Sequence, residues 1–201
     1  VAGAYRIHSD YRIENLFKSN HPLAQNAEYF NETYGGIEEI EILIDTNEEY
    51  GLVSPEVYDS IRRITTELEK VEYVNHVLSI VDFVDWANGR LAGVNEPLPP
   101  ESDVQIGEVL ELLAGGDVGL SLESLVNPDY SQTRVLLKFG YSGTDAKYYA
   151  PTLRIISEAI EKSVSEHLPD SDFLIGGTPI EKKHTLSSLT RSVGTSIVVF
   201  F

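Results

Sequence analysis

Residues 37–45 read Ile37-Glu38-Glu39-Ile40-Glu41-Ile42-Leu43-Ile44-Asp45, with Ile40, Ile42 and Ile44 set against Glu39, Glu41 and Leu43. That period of two predicts a half-buried strand. The next apolar set, Val57, Ile61, Ile64, Leu68 and Val71, is spaced four, three, four and three and draws one stripe along a helix. Ser54-Pro55-Glu56 supplies its start: a capping hydroxyl, a proline at the first helical position and an acid in the first turn. Val74, Val77, Leu78 and Ile80 predict a second strand over residues 73–81. A third strand falls over residues 134–141, and a second long helix over about 150–168 turns Leu153, Ile156, Ile160 and Val164 inward. Pro151 fits the first turn of that helix. Residues 173–177 read as the fourth strand, after which Thr178 caps a last helix through Ile180, Leu186, Leu189 and Val193. A short helix over residues 24–34 precedes the first strand and ends at Gly35-Gly36.

The character changes over about 82–127. Phe83, Val84, Trp86 and Leu91 suggest a short helix, and Asn95-Glu96-Pro97-Leu98-Pro99-Pro100 a stiff linker. Residues 104–113 look helical, starting from Ser102 or Asp103 and stopping at Gly115-Gly116, and 120–126 suit another short helix. The order is therefore β-α-β, a mostly helical insertion, then β-α-β. Two split units of this kind predict an α+β fold, a ferredoxin-like sandwich with an antiparallel sheet and both long helices on one face.

Composition changes this picture in three respects. With 15 Lys and Arg against 32 Asp and Glu the formal net charge is −17, so no basic footprint exists for nucleic acid or an anionic lipid surface. Acidity of this kind is first a surface property that favours solubility. Cysteine is absent, which excludes disulfides, thiolate metal sites and cysteine nucleophiles. No stretch reaches the ~20 apolar residues of a membrane span, yet the chain stops on Ser196-Ile197-Val198-Val199-Phe200-Phe201. That run suits either a last strand or core-docking helix, or the first turns of a membrane helix.

Chemistry-bearing patterns are sparse. His8, His21, His76, His167 and His184 share no i, i+3 or i, i+4 spacing, and scattered surface residues are the simplest reading. No nucleophile elbow, P-loop or H-E-x-x-H occurs, and the Gly pairs at 35–36, 115–116 and 176–177 read as turns. Asp45, Asn47, Glu49 and Glu56 stand at positions 1, 3, 5 and 12 of a calcium-loop spacing. Tyr50 occupies the position where that loop's sharp turn needs Gly, and Ser54-Pro55-Glu56 already starts a helix, so an acidic loop is preferred. No metal or cofactor is assigned, and the chain is read as carrying no catalytic apparatus of its own. Phe83, Trp86, Leu91, Val94 and Leu98 form the one candidate binding group: an apolar groove, or a satellite core beneath a long loop.

One ordered set of features brings a family into view. Asn31-Glu32-Thr33-Tyr34-Gly35-Gly36 leads into the Ile-rich strand, Ser54-Pro55-Glu56-Val57 opens a helix, and Val74-Asn75-His76-Val77-Leu78-Ser79 closes the unit. Leu125-Val126-Asn127-Pro128-Asp129 then precedes a strand, and Gly176-Gly177-Thr178-Pro179 a helix that turns apolar. From about Tyr29 to the end the chain resembles the first extracytoplasmic loop of RND-superfamily exporters, in the branch with mycobacterial membrane protein large (MMPL) transporters and hopanoid transporters. The resemblance implies a porter domain over residues 35–178, between a lead-in (1–34) that follows a membrane helix and a helix (179–201) that leads into the next. It implies a place on the extracytoplasmic face of the cell membrane and a share in a conduit for hydrophobic or lipid-like cargo, driven by protons elsewhere in the protein. The implied partners are a second porter domain, the membrane helices of the same transporter and, in a homo-oligomer, further copies. The family's proton-relay residues lie in membrane helices and none is carried over. The alternative is an extracytoplasmic ligand-binding or sensory module of another membrane protein.

Overall fold

In the computed structural model, which describes residues 20–36, 38–115, 122–139 and 146–181, strand β1 (Glu38–Asp45) buries Ile40, Ile42 and Ile44 completely. Its alternate positions are half-buried, as a sheet with one core face requires. Ahead of it, helix α1 (Pro22–Tyr34) is capped by His21, whose Nδ1 accepts from the Leu23 N–H at 3.2 Å. Gly35, at φ +77°, ends that helix in the left-handed conformation that suits glycine.

After a 3₁₀ turn (Gly51–Val53) comes helix α2 (Pro55–Leu68), with Ser54 as its cap. Strand β2 (Val74–Leu78), helices α3 (Ile80–Leu91) and α4 (Asp103–Gly115), strand β3 (Gln132–Phe139), helix α5 (Ala146–His167) and strand β4 (Asp172–Gly176) follow. The strands form one sheet in the order β2-β3-β1-β4, and each neighbouring pair is antiparallel. The β1-α2-β2 crossover steps over β3, and β3-α5-β4 steps over β1. The two units are interlocked, so neither completes its sheet without the other. Among the described residues the protein is an α+β structure on a four-stranded antiparallel sheet.

Helices α2 and α5 pack together. Ile61, Ile64 and Leu68 of α2 and Leu153, Ile156, Ile160 and Val164 of α5 share one core with the inward residues of β1, β2 and β3. Each side chain buried so completely contributes roughly 1.5–3 kcal/mol. Across the α2–α5 seam, Glu67 accepts from Ser163 Oγ at 2.7 Å and lies 2.9 Å from His167 Nε2. The Ser163 hydrogen bond, then His167, holds the Glu67 carboxyl below its ordinary pKa. Val81 and Val84 of α3 and Ile106, Val109 and Leu110 of α4 belong to this same core. The stretch between β2 and β3 is therefore packed structure continuous with the frame.

Four local expectations move. Ile80 and Val81, read as the end of β2, open α3 instead. Asp82 accepts from the Ser79 N–H at 2.8 Å and Ser79 Oγ accepts from the Val81 N–H, a capping box that ends the strand at Leu78. Helix α5 begins at Ala146, a turn ahead of Pro151, which lies inside it. A proline deletes one intrahelical donor, and the four fully buried side chains downstream hold the helix. Strand β3 is Gln132–Phe139, two residues upstream of its expected place. The turn after β4 is capped by Gly177, whose carbonyl accepts from Ile180 and Glu181, so Thr178 is its first helical residue. Leu186, Leu189, Val193 and the 196–201 run lie outside the described residues, as do His8 and His184.

Candidate functional site

Helix α3 divides its side chains by face. Val81, Val84, Ala87 and Asn88 turn inward, and Phe83 packs half-buried against the core. Trp86 and Leu91 turn outward. Beyond α3 the chain reverses at Gly93 (φ +79°) and runs back along the helix. The Val94 N–H donates to the Gly89 carbonyl and the Leu98 N–H to the Asp85 carbonyl, each at 2.9 Å, while Asn88 Nδ2 donates to the Leu98 carbonyl. Gly89 permits this close approach, because a Cβ there would sit 2.0 Å from the Glu96 carbonyl oxygen. Arg90 ties the two runs together: its guanidinium lies 4.9 Å from the Trp86 ring centre and donates to Asn95 Oδ1.

The five residues singled out from sequence thus share one region but not one environment. Phe83 packs half-buried against the main core. Trp86, Leu91, Val94 and Leu98 are 50%, 61%, 43% and 41% exposed, too open for the interior of a satellite core. On α4, Val104 and Leu112 add to the exposed apolar surface of the insertion. The chain's sole tryptophan is therefore half exposed to solvent, with the Arg90 guanidinium over its ring.

A buried polar cluster anchors this face to the frame. Asp85, 9% exposed, accepts from Tyr58 Oη at 2.8 Å and from the Arg62 guanidinium at 2.8 and 3.1 Å. Arg62 also donates to Asp59 at 2.8 Å and lies 5.0 Å from the Tyr58 ring centre. Burial, then the Asp85 carboxylate, pushes the Tyr58 hydroxyl far above its ordinary pKa. Near neutral pH this phenol keeps its proton and donates to Asp85, so the cluster fastens α3 to α2. Sequence reading passed over these residues, because Tyr58 lies beside the Val57–Ile61 stripe and Asp85 looks like one more surface acid. The available signal was an acid next to inward-facing Val84 on a helix face that is otherwise apolar.

The calcium-like spacing resolves into separate contacts. Tyr50 does take the left-handed conformation (φ +61°) that such a turn needs, so the expectation that only Gly would supply it is corrected. The carboxylates nevertheless have separate partners: Asp45 accepts from the Asn47 N–H at 2.9 Å and from Gln132 Nε2 at 2.5 Å, and Glu56 accepts from Ser54 Oγ at 2.8 Å. Asn47 reaches across to the Asp170 carbonyl. Among the described residues no group of three His, Cys, Asp or Glu is placed to hold a metal ion. His21 caps α1, His76 lies exposed on β2 and His167 contacts Glu67.

A second exposed apolar group, missed in the sequence, lies on α1. Tyr29, Phe30 and Tyr34 are exposed, with ring centres 5.2–6.4 Å apart. Asn75 of β2 donates to the Gly35 carbonyl at 2.9 Å and fixes the end of that helix to the sheet. Among the described residues no helix is long and apolar enough to cross a membrane. No protein-family model matches the chain, and no curated protein matches it in sequence.

Proposed function

We propose that this chain is an extracytoplasmic porter domain of a proton-driven RND-type exporter, and that its insertion offers the apolar face to hydrophobic or lipid-like cargo. The observation that carries the reading is the exposure of Trp86, Leu91, Val94 and Leu98 together on the insertion. A chain with a net charge of −17 that leaves such side chains in water has placed them where an apolar partner can reach them. The frame supports the same reading. Read from the other edge, the strand order is β4-β1-β3-β2, all antiparallel, with two interlocked crossovers, the order of a ferredoxin-like sandwich. The Tyr58–Arg62–Asp85 cluster would transmit any shift of α2 directly to the cargo face.

The parent gene tests the transporter half of this reading. An exporter of this type carries about a dozen apolar spans in two similar halves, with a second loop of the same β-α-β, insertion, β-α-β order. A parent with a single span and a signalling domain would instead favour a ligand-binding or sensory module. The cargo half is tested by crosslinking within the membrane-embedded protein. A photoreactive acyl chain is expected to label position 86 or 91, and labelling confined to other surfaces contradicts the proposal.

A further inference from the structure

The two edges of the sheet are protected unequally. The β2 edge carries a register shift between Val74 and His76 and the exposed polar side chains of Asn75 and His76. It is also tied to the end of α1 through the Asn75–Gly35 hydrogen bond. These are the devices by which natural sheets discourage edge-to-edge pairing. Among the described residues the β4 edge has no register shift and no tie to a helix; its one exposed charged side chain is Asp172, at the end of the strand, which accepts from Asn47 Nδ2 at 3.3 Å. Asp172-Phe173-Leu174-Ile175-Gly176 pairs regularly with β1 on one side, from Asp45↔Asp172 to Glu41↔Gly176. It contains no proline, lysine or bulge, and Leu174 at 69% is the most exposed large hydrophobic side chain among the described residues.

We infer that β4 is a self-pairing edge, which joins a second copy of this chain in antiparallel register centred on Leu174. The sequence around that centre carries the inference. Antiparallel pairing about Leu174 sets Leu174 against Leu174, Phe173 against Ile175, Asp172 against Gly176 and Asp170 against Thr178. Every apolar residue meets an apolar residue, and no acid faces an acid. Parallel pairing in register would set Asp172 against Asp172, a repulsive juxtaposition. On the core face, where Phe173 and Ile175 pack, antiparallel pairing continues the apolar layer across the two-fold axis. On the open face it covers Leu174. The product is a continuous eight-stranded sheet.

A five-residue strand buries little area, so the dimer is weak, with a dissociation constant on the order of 0.1 mM. The net charge of −17 on each copy opposes association until salt screens it. Sedimentation equilibrium of the 201-residue chain is therefore expected to move from monomer toward dimer between about 10 µM and 1 mM, more readily in ~0.5 M than in ~0.05 M salt. Leu174→Lys sets two like charges directly opposite and is expected to weaken the dimer by about tenfold or more. Its far-UV circular dichroism and melting should be unchanged, since the Leu174 side chain is exposed. The chain has no cysteine, so Leu174→Cys gives a positional test. Directly opposed Cα atoms lie about 4.5–5.5 Å apart in an antiparallel pair, within disulfide reach. Leu174→Cys should oxidise to a covalent dimer, whereas Asn75→Cys on the other edge should not. A chain that stays monomeric at ~1 mM in high salt overturns the inference. So does a dimer indifferent to Leu174→Lys, or one in which Asn75→Cys crosslinks as well as Leu174→Cys.

Discussion

Replacing Asp85 by alanine removes the acceptor shared by Tyr58 and Arg62 and leaves a guanidinium without its inner carboxylate. Breaking one side of a fully buried ion pair costs about 3–5 kcal/mol. Two features of the site reduce that figure. The Arg62 side chain is 26% exposed and keeps Asp59 at 2.8 Å, and the Tyr58 hydroxyl keeps the Val81 carbonyl at 3.1 Å. The expected loss is then about 2–3 kcal/mol, which for a chain of 201 residues lowers the melting temperature by roughly 5–10 °C. Asp85→Asn retains an acceptor for Tyr58 and should lose about half as much. Asp59→Ala removes only an exposed contact, worth ~0–1 kcal/mol. Urea titrations should follow Trp86 fluorescence, which reports the insertion, beside far-UV circular dichroism, which reports the helices and sheet together. Because insertion and frame share one core, the two signals should move together in the wild type. In Asp85→Ala the Trp86 transition should come first, as α3 loosens from α2. A loss below about 0.5 kcal/mol, or one matched by Asp59→Ala, would refute the assignment of Asp85 as the anchor of the insertion.

Three further outcomes follow from the same contacts. The Tyr58 pKa is raised on folding, so its contribution to stability is complete below the unfolded value near 10. That contribution falls as pH rises above it, by up to ~1.4 kcal/mol per unit. Denaturant midpoints between pH 9 and 11.5 should show this alkaline fall reduced in Tyr58→Phe, and parallel curves for the two proteins would contradict it. Thr133 is fully buried and its hydroxyl has no hydrogen-bond partner among the described residues, so Thr133→Val should raise stability by about 1 kcal/mol, read as a higher denaturant midpoint at unchanged slope. Gly89→Ala places a methyl group against the Glu96 carbonyl. It should displace the 94–98 return, seen as faster amide exchange at Val94 and Leu98 while β1 and β3 stay protected.

Where physics is local, the sequence was readable. The Ile40–Ile42–Ile44 alternation and the Ser54-Pro55 start each encode their structure within a few residues, and both appear where expected. Local signals failed where two of them competed. Ile80 and Val81 are β-branched and follow a strand, but the Ser79–Asp82 capping box prevails because it satisfies helix donors that would otherwise be orphaned. Pro151 resembles a helix start, yet the buried stripe beyond it carries the helix through. The candidate face was half legible: the apolar side chains of Trp86, Leu91, Val94 and Leu98 were identifiable, but not their exposure. That depends on the 94–98 segment folding back over Gly89, a contact settled by a carbonyl and an absent Cβ. The Tyr58–Arg62–Asp85 anchor depends on side chains up to 27 positions apart, beyond the reach of any periodicity.

The proposed cargo face is tested most directly through Trp86, the sole tryptophan, with a brominated twelve-carbon amphiphile held below its micelle concentration. Bromine quenches indole emission only on close approach. Binding at the insertion should give saturable quenching with a blue shift, and the double variant Leu91→Asp, Leu98→Asp should weaken it at least about tenfold by replacing exposed apolar side chains of the insertion with charges. Quenching that stays linear in amphiphile concentration, or that survives the double variant unchanged, would contradict the assignment of this face to lipid-like cargo.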